Sequence, residues 1–461
     1  MAPKFGTSGL RGLVTELTDA LVSDYTRAFL AACPHGGALW LGRDLRPSSP
    51  RIAAAVAAAA RSEGVDVIDC AVLPTPALAL ASMQAGQAAL MVTGSHIPAD
   101  RNGLKFYVPS GEISKADETA IAAHLGRDAG NWQGDLREEA SAVTDYVSRY
   151  VTGFGSQALS GMRIGVYQHS SVARDLMMQV VSGLGAEPIA LARSDTFIPV
   201  DTEALDPDTR GMLAGWCAEH ALDAVISTDG DADRPMLADA RGHVVPGDVL
   251  GALTAQSLGA KVICTPVSSN SMILGMPEFS RVELTRIGSP YVIAAMEAML
   301  AEDAGSAVVG YEANGGFLLG FDAQGPAGAL SPLMTRDCIL PMVAPLAAAR
   351  ATWQGIADLV AGLPPRFTAA DRIAGIETAR SKDFIARLSN DAAARAQFFD
   401  GTETAIDLTD GLRVSFDSGD VVHLRPSGNA PEFRCYAEAD TPEAASTLVA
   451  THLEKISAEL G

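Results

Sequence analysis

The chain has 461 residues, 48% of them hydrophobic and 19% charged, which excludes a disordered protein and calls for several folded domains. Asp and Glu outnumber Lys and Arg 55 to 34, a net charge of −21, which argues against nucleic acid or an anionic membrane as a bulk partner. No uninterrupted apolar stretch approaches the ~20 residues of a membrane span, and the N-terminal residues lack a signal-peptide pattern.

In chain order, residues 1–150 read as a first α/β unit. Leu39-Trp40-Leu41 is a strand, and an alanine-rich helix follows, capped by Ser48-Ser49-Pro50 and stopped by Gly64. Strands at Val65–Val72 and Ala88–Val92 come next, and the second feeds Thr93-Gly94-Ser95-His96-Ile97-Pro98, with Lys105 beyond. Residues 151–256 repeat the plan: a strand at Arg163–Tyr167, a helix near 172–183, then the apolar run Leu222–Ile226 and Asp229, Asp231 and Asp233 at alternate positions. Residues 257–367 repeat it again, from Lys261–Cys264 to Ser306–Val309 and the loop Gly310-Tyr311-Glu312-Ala313-Asn314-Gly315-Gly316. The letters of the three units do not by themselves establish a repeat. Pro364-Pro365 marks a hinge into residues 368–461, read as antiparallel β with a closing helix from Thr441. There a hairpin around Asp417–Asp420 precedes the loop Arg425-Pro426-Ser427-Gly428-Asn429-Ala430-Pro431, with Arg434 on the next strand.

Each loop carries a chemistry and a blander alternative. A serine hydroxyl is a poor nucleophile without help from a base or strong electrostatics, and Thr-Gly-Ser is also ordinary turn chemistry. Three carboxylates in five residues repel one another unless a cation joins them. Oxygen donors without nearby Cys or His suit Mg²⁺. An EF-hand fails because its sixth position would be Arg234 instead of Gly and its twelfth Ala240 instead of Glu. A solvated acidic turn is the other alternative; Arg234 and Pro235 argue against it by supplying a cation and stiffening the exit. The Arg425 loop offers guanidiniums, hydroxyl, amide and backbone N–H groups, a set suited to a phosphate dianion. Glu312 and Asn314 can exchange hydrogen bonds with sugar hydroxyls. Both of these last loops also read as plain connections.

With the opening Lys4-Phe5-Gly6-Thr7-Ser8-Gly9-Leu10-Arg11-Gly12, these segments resemble, in order, the motifs of the α-D-phosphohexomutases, the family of phosphomannomutase and phosphoglucomutase. The resemblance implies four domains around a central cleft: three similar α/β mixed-sheet domains and a smaller antiparallel α+β domain. It implies that Ser95 carries a phosphoryl group, with His96, Lys105, Arg11 and Arg234 as catalytic neighbours. Asp229, Asp231, Asp233 and the Ser95 phosphoryl would hold Mg²⁺. Ser8, Arg286, Gly288, Glu312, Asn314, Arg425, Ser427, Gly428, Asn429 and Arg434 would bind substrate. The implied reaction interconverts mannose 6-phosphate and mannose 1-phosphate, and glucose phosphates too, through a hexose 1,6-bisphosphate that turns end for end. Phosphoglucomutase and phosphoglucosamine mutase are the nearest alternatives. An Asp229-nucleophile phosphatase and a non-catalytic sugar-phosphate binder are the distant ones. The chain departs from the family's common motifs at Gly94, Ile97, Pro290, Asn314 and Asn429-Ala430, which leaves the sugar preference open.

Six cysteines (33, 70, 217, 264, 338, 435) stand singly, without a C-x-x-C, as buried hydrophobes in a reducing cytoplasm would. Neither a Walker A run nor a strand-linked G-x-G-x-x-G appears, against a kinase or dehydrogenase. The expected partners are small hexose phosphates, and the expected state is a monomer or weak homodimer.

Overall fold

The computed structural model describes residues 3–6, 9–426 and 432–460. Three mixed sheets share one plan. In the first, Ala38–Arg43 lies parallel to both Asp66–Val72 and Ala88–Val92, and Ala88–Val92 pairs antiparallel with Arg101–Val108. In the second, Arg163–His169 lies parallel to Glu187–Arg193 and Ala224–Thr228, and the latter pairs antiparallel with Pro235–Ala238. In the third, Val262–Pro266 lies parallel to Arg281–Thr285 and Val308–Tyr311, and the latter turns back as Phe317–Leu319. The repeat that the letters conceal is therefore plain in the topology. In each unit the third parallel strand reverses into an antiparallel one, and that reversal holds the polar loop: Thr93–Asp100, Asp229–Arg234 or Glu312–Gly316.

The feeding strands Ala88–Val92, Ala224–Thr228 and Val308–Tyr311 are buried along their whole length. Helices cover both faces of such strands, so their sequences read as continuous apolar runs. One apolar core runs from Ala38 to Ile356 through all three units. Within it, the helix Gly247–Ser257 falls in the stretch expected to belong to the second unit. It packs against the helix Leu340–Thr352 and the Val308–Tyr311 strand of the third, and also against the Pro235–Ala238 strand of the second. Gly251 allows this approach, since a Cβ there would lie 2.4 Å from Tyr311 Cγ.

The fourth unit is a five-stranded antiparallel sheet in the order Phe367–Ala374, Glu432–Ala439, Val421–Pro426, Leu412–Phe416, Glu403–Asp407. Leu412, Val422, Leu424, Phe433 and Cys435 form a separate core with the helix Pro442–Leu460. Two further helices, Thr378–Asn390 and Ala392–Phe398, were not anticipated from the sequence. Polar contacts tie this unit to the third: Ser271 Oγ donates to Glu438 Oε2 (2.5 Å), Ile287 N to Asp410 Oδ2 (3.0 Å) and Arg286 Nε to the Thr409 carbonyl (3.2 Å). Among the described residues, no helix is long and apolar enough to cross a membrane, and all six cysteines are free and buried.

Candidate functional site

Ser95 is buried and sits at φ 54°, a left-handed conformation that a non-glycine residue adopts only where its surroundings enforce it. The enforcement comes from Arg46. Its guanidinium, wholly buried, donates to Asp44 Oδ2 (3.1 Å) and to the carbonyls of Ser95 (2.8 Å), Ile97 (2.5 Å), Pro98 (2.7 Å) and Arg101 (2.9 Å). Asp44 in turn accepts from Thr93 Oγ1 (2.8 Å) and Ser49 Oγ (2.5 Å). The helix expected to start with a Ser48 cap does start there, but Ser48 makes no side-chain cap hydrogen bond. Its hydroxyl and that of Ser49 accept instead from Asn102 Nδ2 at 2.8 and 2.9 Å, so they serve the loop scaffold. Gly94 fits the same scaffold, because a Cβ there would stand 2.6 Å from Arg46 Cζ.

The scaffold aims Ser95 at the aspartate loop. Ser95 Oγ donates to Asp229 Oδ2 at 2.5 Å and lies 3.3 Å from His96 Nδ1. One carboxylate oxygen each of Asp229, Asp231 and Asp233 lies within 4.8 Å of the others, all three residues being buried. Asp231 is anchored by Thr75, whose Oγ1 donates to Oδ2 at 2.7 Å. Lys105 Nζ donates to Asp231 Oδ2 (2.6 Å) and Asp233 Oδ2 (2.5 Å). Asp231 Oδ1 and Asp233 Oδ1 are buried without a hydrogen-bond partner. Such oxygens are costly unless something cationic or proton-bearing meets them. The donor set is all hard oxygen, so the residues fit a hard divalent cation.

The charges around this centre shape its protonation. Burial first, then the charges of Asp231 and Asp233, push the Asp229 carboxyl well above the usual range. Burial presses Asp233 the same way, but Arg336, Lys105 and Arg234 overcome it and hold that carboxyl low. Burial, then Arg234 and Arg11, drive the His96 imidazole far below its usual range, so it is neutral. Arg11 is pushed down to about 10 by burial and by Arg234. Arg234 itself reaches Glu203 Oε2 at 3.1 Å and Asp201 Oδ1 at 3.7 Å.

Arg336, buried at the end of the strand Leu333–Asp337, joins two loops. Its Nη2 lies 2.7 Å from Asp233 Oδ2 and its Nη1 lies 3.7 Å from Glu312 Oε2. Burial raises Glu312, and Arg336 opposes the rise. Asn314 Oδ1 accepts from Gly316 N (2.9 Å), so the amide Nδ2 is the part of that side chain able to donate to a ligand. Glu112 of the first unit accepts from Ser289 Oγ (2.8 Å) and Thr335 Oγ1 (3.1 Å) of the third.

The structure thus brings together Ser95, His96, Lys105, Arg11, Asp229, Asp231, Asp233, Arg234 and, through Arg336, Glu312. Arg425 and Arg434 lie opposite each other on neighbouring strands of the fourth unit. Arg286 Nε donates to the Thr409 carbonyl (3.2 Å), docking its loop on the fourth unit. Gly288, at φ 130°, starts the helix Ser289–Glu302. Ser8, Ser427, Gly428 and Asn429 lie outside the described residues. Arg46, Thr75, Glu203 and Arg336 were missed in the sequence. Arg46 had a signal, as it follows a strand end in Arg43-Asp44-Leu45-Arg46. Arg336 stands in a polar triplet, Thr335-Arg336-Asp337, before the apolar run Cys338-Ile339-Leu340.

Comparison with known proteins matches this arrangement throughout. Models of the four phosphoglucomutase/phosphomannomutase domains match in order: alpha/beta/alpha domain I at residues 2–130, domain II at 144–242, domain III at 246–367 and the C-terminal domain at 376–455. A phosphomannomutase of Sinorhizobium fredii is 45% identical, with all of both chains covered. A phosphomannomutase of Salmonella muenchen is 44% identical over 99% of this chain and 96% of the relative. Among solved structures, a phosphoglucomutase/phosphomannomutase family protein from Burkholderia thailandensis shares the fold, with a TM-score of 0.76 at 20% identity, covering 98% of this chain and 97% of that one. With its four domains in order and full-length relatives above two-fifths identity, the chain belongs to the phosphoglucomutase/phosphomannomutase family, the α-D-phosphohexomutases.

Proposed function

We propose that this protein is a phosphomannomutase that interconverts mannose 6-phosphate and mannose 1-phosphate, and glucose phosphates as well, through a phosphoserine at Ser95. The observation that carries the mechanism is the 2.5 Å contact from Ser95 Oγ to Asp229, inside the aspartate cluster. The preference for mannose rests on the two full-length phosphomannomutase relatives.

Phosphate monoesters hydrolyse so slowly that enzymes acting on them supply up to about 10²¹-fold acceleration. The transition state is loose, so positioning and charge stabilisation must supply most of it. Asp229, Asp231 and Asp233, with the Ser95 phosphoryl, would hold Mg²⁺. When bound, the ion supplies Lewis acidity at the transferring group. Lys105 and Arg234 would neutralise the phosphoryl oxygens, with Arg46 fixing the Ser95 backbone beneath them. In the forward half, the Ser95 Oγ–P bond breaks as a P–O bond forms to the free sugar hydroxyl, whose proton passes to a base in the cleft while Lys105 steadies the transferring oxygens. The bisphosphate turns, and Ser95 Oγ takes the phosphoryl from the other end as that sugar O–P bond breaks; the Oγ proton, directed at Asp229, is given up and the freed sugar oxygen takes up a proton in its place. Glu312 and Asn314 hold ring hydroxyls, while Arg425 and Arg434 hold the idle phosphate. The free cysteines suit a reducing compartment, and we assign the enzyme to the cytoplasm.

Incubation with glucose 1,6-bisphosphate, followed by intact mass measurement and site mapping, tests this. A gain of one phosphoryl on Ser95 is expected, and a gain elsewhere refutes the phosphoserine. Turnover on mannose 1-phosphate, glucose 1-phosphate and glucosamine 6-phosphate tests the substrate; negligible turnover of mannose 1-phosphate refutes the preference.

A further inference from the structure

Three arginines stand in one row across the fourth unit. Arg372 on Phe367–Ala374 is opposite Arg434 on Glu432–Ala439, and Arg434 is opposite Arg425 on Val421–Pro426. Opposed residues on neighbouring strands project to one face. Here that face is turned away from the core residues Ile373, Phe433 and Leu424. Like charges directly opposite one another destabilise a sheet, so such a row is a cost unless an anion meets it. The carboxylates nearby satisfy it incompletely. Glu432 reaches Arg372 Nε at 3.6 Å and Arg434 Nη2 at 3.5 Å, while Asp410 Oδ2 holds Arg425 Nε at 3.0 Å.

The row shares its face with a cavity that the fourth unit lines together with the second. Farther along the same face, Ala370, His423 and Tyr436 line a cavity of about 620 Å³, whose opposite wall includes Glu203 of the second unit. Glu203 also pairs with Arg234 of the aspartate loop at 3.1 Å. Side-chain exposure falls along the row from 54% at Arg372 through 36% at Arg434 to 15% at Arg425, so it runs from the rim inward.

We infer that Arg372 is a substrate-binding residue: it supplies the rim guanidinium of a three-arginine clamp for the phosphate dianion of a hexose phosphate. The inference rests on the proposed mutase reading and adds a residue that lies about fifty positions from the Arg425 loop in sequence. Guanidinium forks match phosphate oxygens bidentately, and a row of them can follow a phosphate as it enters. Glu432 then acts as the built-in competitor that the phosphate displaces.

The experiment measures KM and kcat for mannose 1-phosphate, and calorimetric binding of inorganic phosphate, in the wild type, Arg372→Ala, Arg372→Lys and Glu432→Gln. A contact to the idle phosphate is the same in ground and transition states, so its loss falls on KM. Arg372→Ala should raise KM about 10- to 100-fold, the range of one lost charge-assisted hydrogen bond, and weaken inorganic phosphate by a similar factor. Arg372→Lys should recover part of both, and Glu432→Gln should tighten phosphate. Wild-type KM and wild-type phosphate affinity in Arg372→Ala would overturn the inference, as would a fall in kcat at unchanged KM. If the wild type turns over no hexose phosphate, the mutase reading fails, and the inorganic phosphate titration still decides Arg372.

Discussion

Replacing Arg46 by Met removes the charge that holds the Ser95 loop while keeping much of the side chain's length. Five hydrogen bonds disappear: one to Asp44 and four to backbone carbonyls between Ser95 and Arg101. Breaking a buried ion pair by removing one partner costs about 3–5 kcal/mol. Asp44 keeps Ser49 Oγ, Thr93 Oγ1 and Gly94 N as donors, which argues for the lower end, about 3 kcal/mol. For a cooperative unit of about 150 residues, such as the first α/β unit, that lowers the melting temperature by roughly 10 °C, read by scanning calorimetry. The stacking of Arg46 on the Phe197 ring of the second unit, 4.2 Å from its centroid, goes as well. Once the loop is loose, Ser95 leaves its left-handed conformation and drifts from Asp229. A misplacement near 1 Å costs about 10²-fold in rate, so phosphoryl transfer from glucose 1,6-bisphosphate to Ser95 should slow by about that factor. A variant with wild-type melting and wild-type phosphorylation would refute the claim that Arg46 positions the nucleophile.

Gly94→Ala presses a methyl group against the pinned guanidinium, which overpacks the loop by about 1–3 kcal/mol; slower Ser95 phosphorylation in stopped-time mass measurements checks it. Chelation with EDTA should abolish turnover, and Mg²⁺ should restore it; Asp231→Asn should shift the Mg²⁺ concentration for half activity upward, because one of the hard ligands is lost. Acid should destabilise the fold through buried imidazoles. Burial pushes His169 and His423 down to about 4 from 6.5, so the stabilising neutral form is fully present above 6.5 and its contribution is lost as pH falls toward 4. Melting temperature measured against pH should fall across that window, and His423→Gln should flatten part of the fall.

The strand-end loops were legible because each interrupts a run of buried apolar residues with polar ones, and that contrast survives in a single sequence. Ala88–Val92 and Val421 onward were legible for the same reason. What escaped was whatever depends on distant pairing. Arg372 is one exposed arginine in Phe367–Ala374 until the register sets it opposite Arg434. Arg336 looks like a polar strand end until folding brings Asp233 of another unit to 2.7 Å. Ser48 and Ser49 matched the pattern of a helix cap, yet Asn102 Nδ2 donates to both hydroxyl oxygens in place of the helix's own N–H groups. The helix Gly247–Ser257 could not be assigned to its sheet from letters, since its alliance with Tyr311 depends on Gly251 lacking a side chain.

Because the fourth unit closes its apolar interior upon itself, swinging it outward need not wet that interior. What must yield are hydrogen bonds such as Ser271–Glu438, Arg286–Thr409 and Ile287–Asp410, each of which water can replace. A hexose tethered by one phosphate thus gains room to tumble, at an energetic cost set by polar exchange and not by hydrophobic exposure. Salt and urea, which act differently on those two kinds of contact, should therefore tune the release of the doubly phosphorylated sugar in different ways.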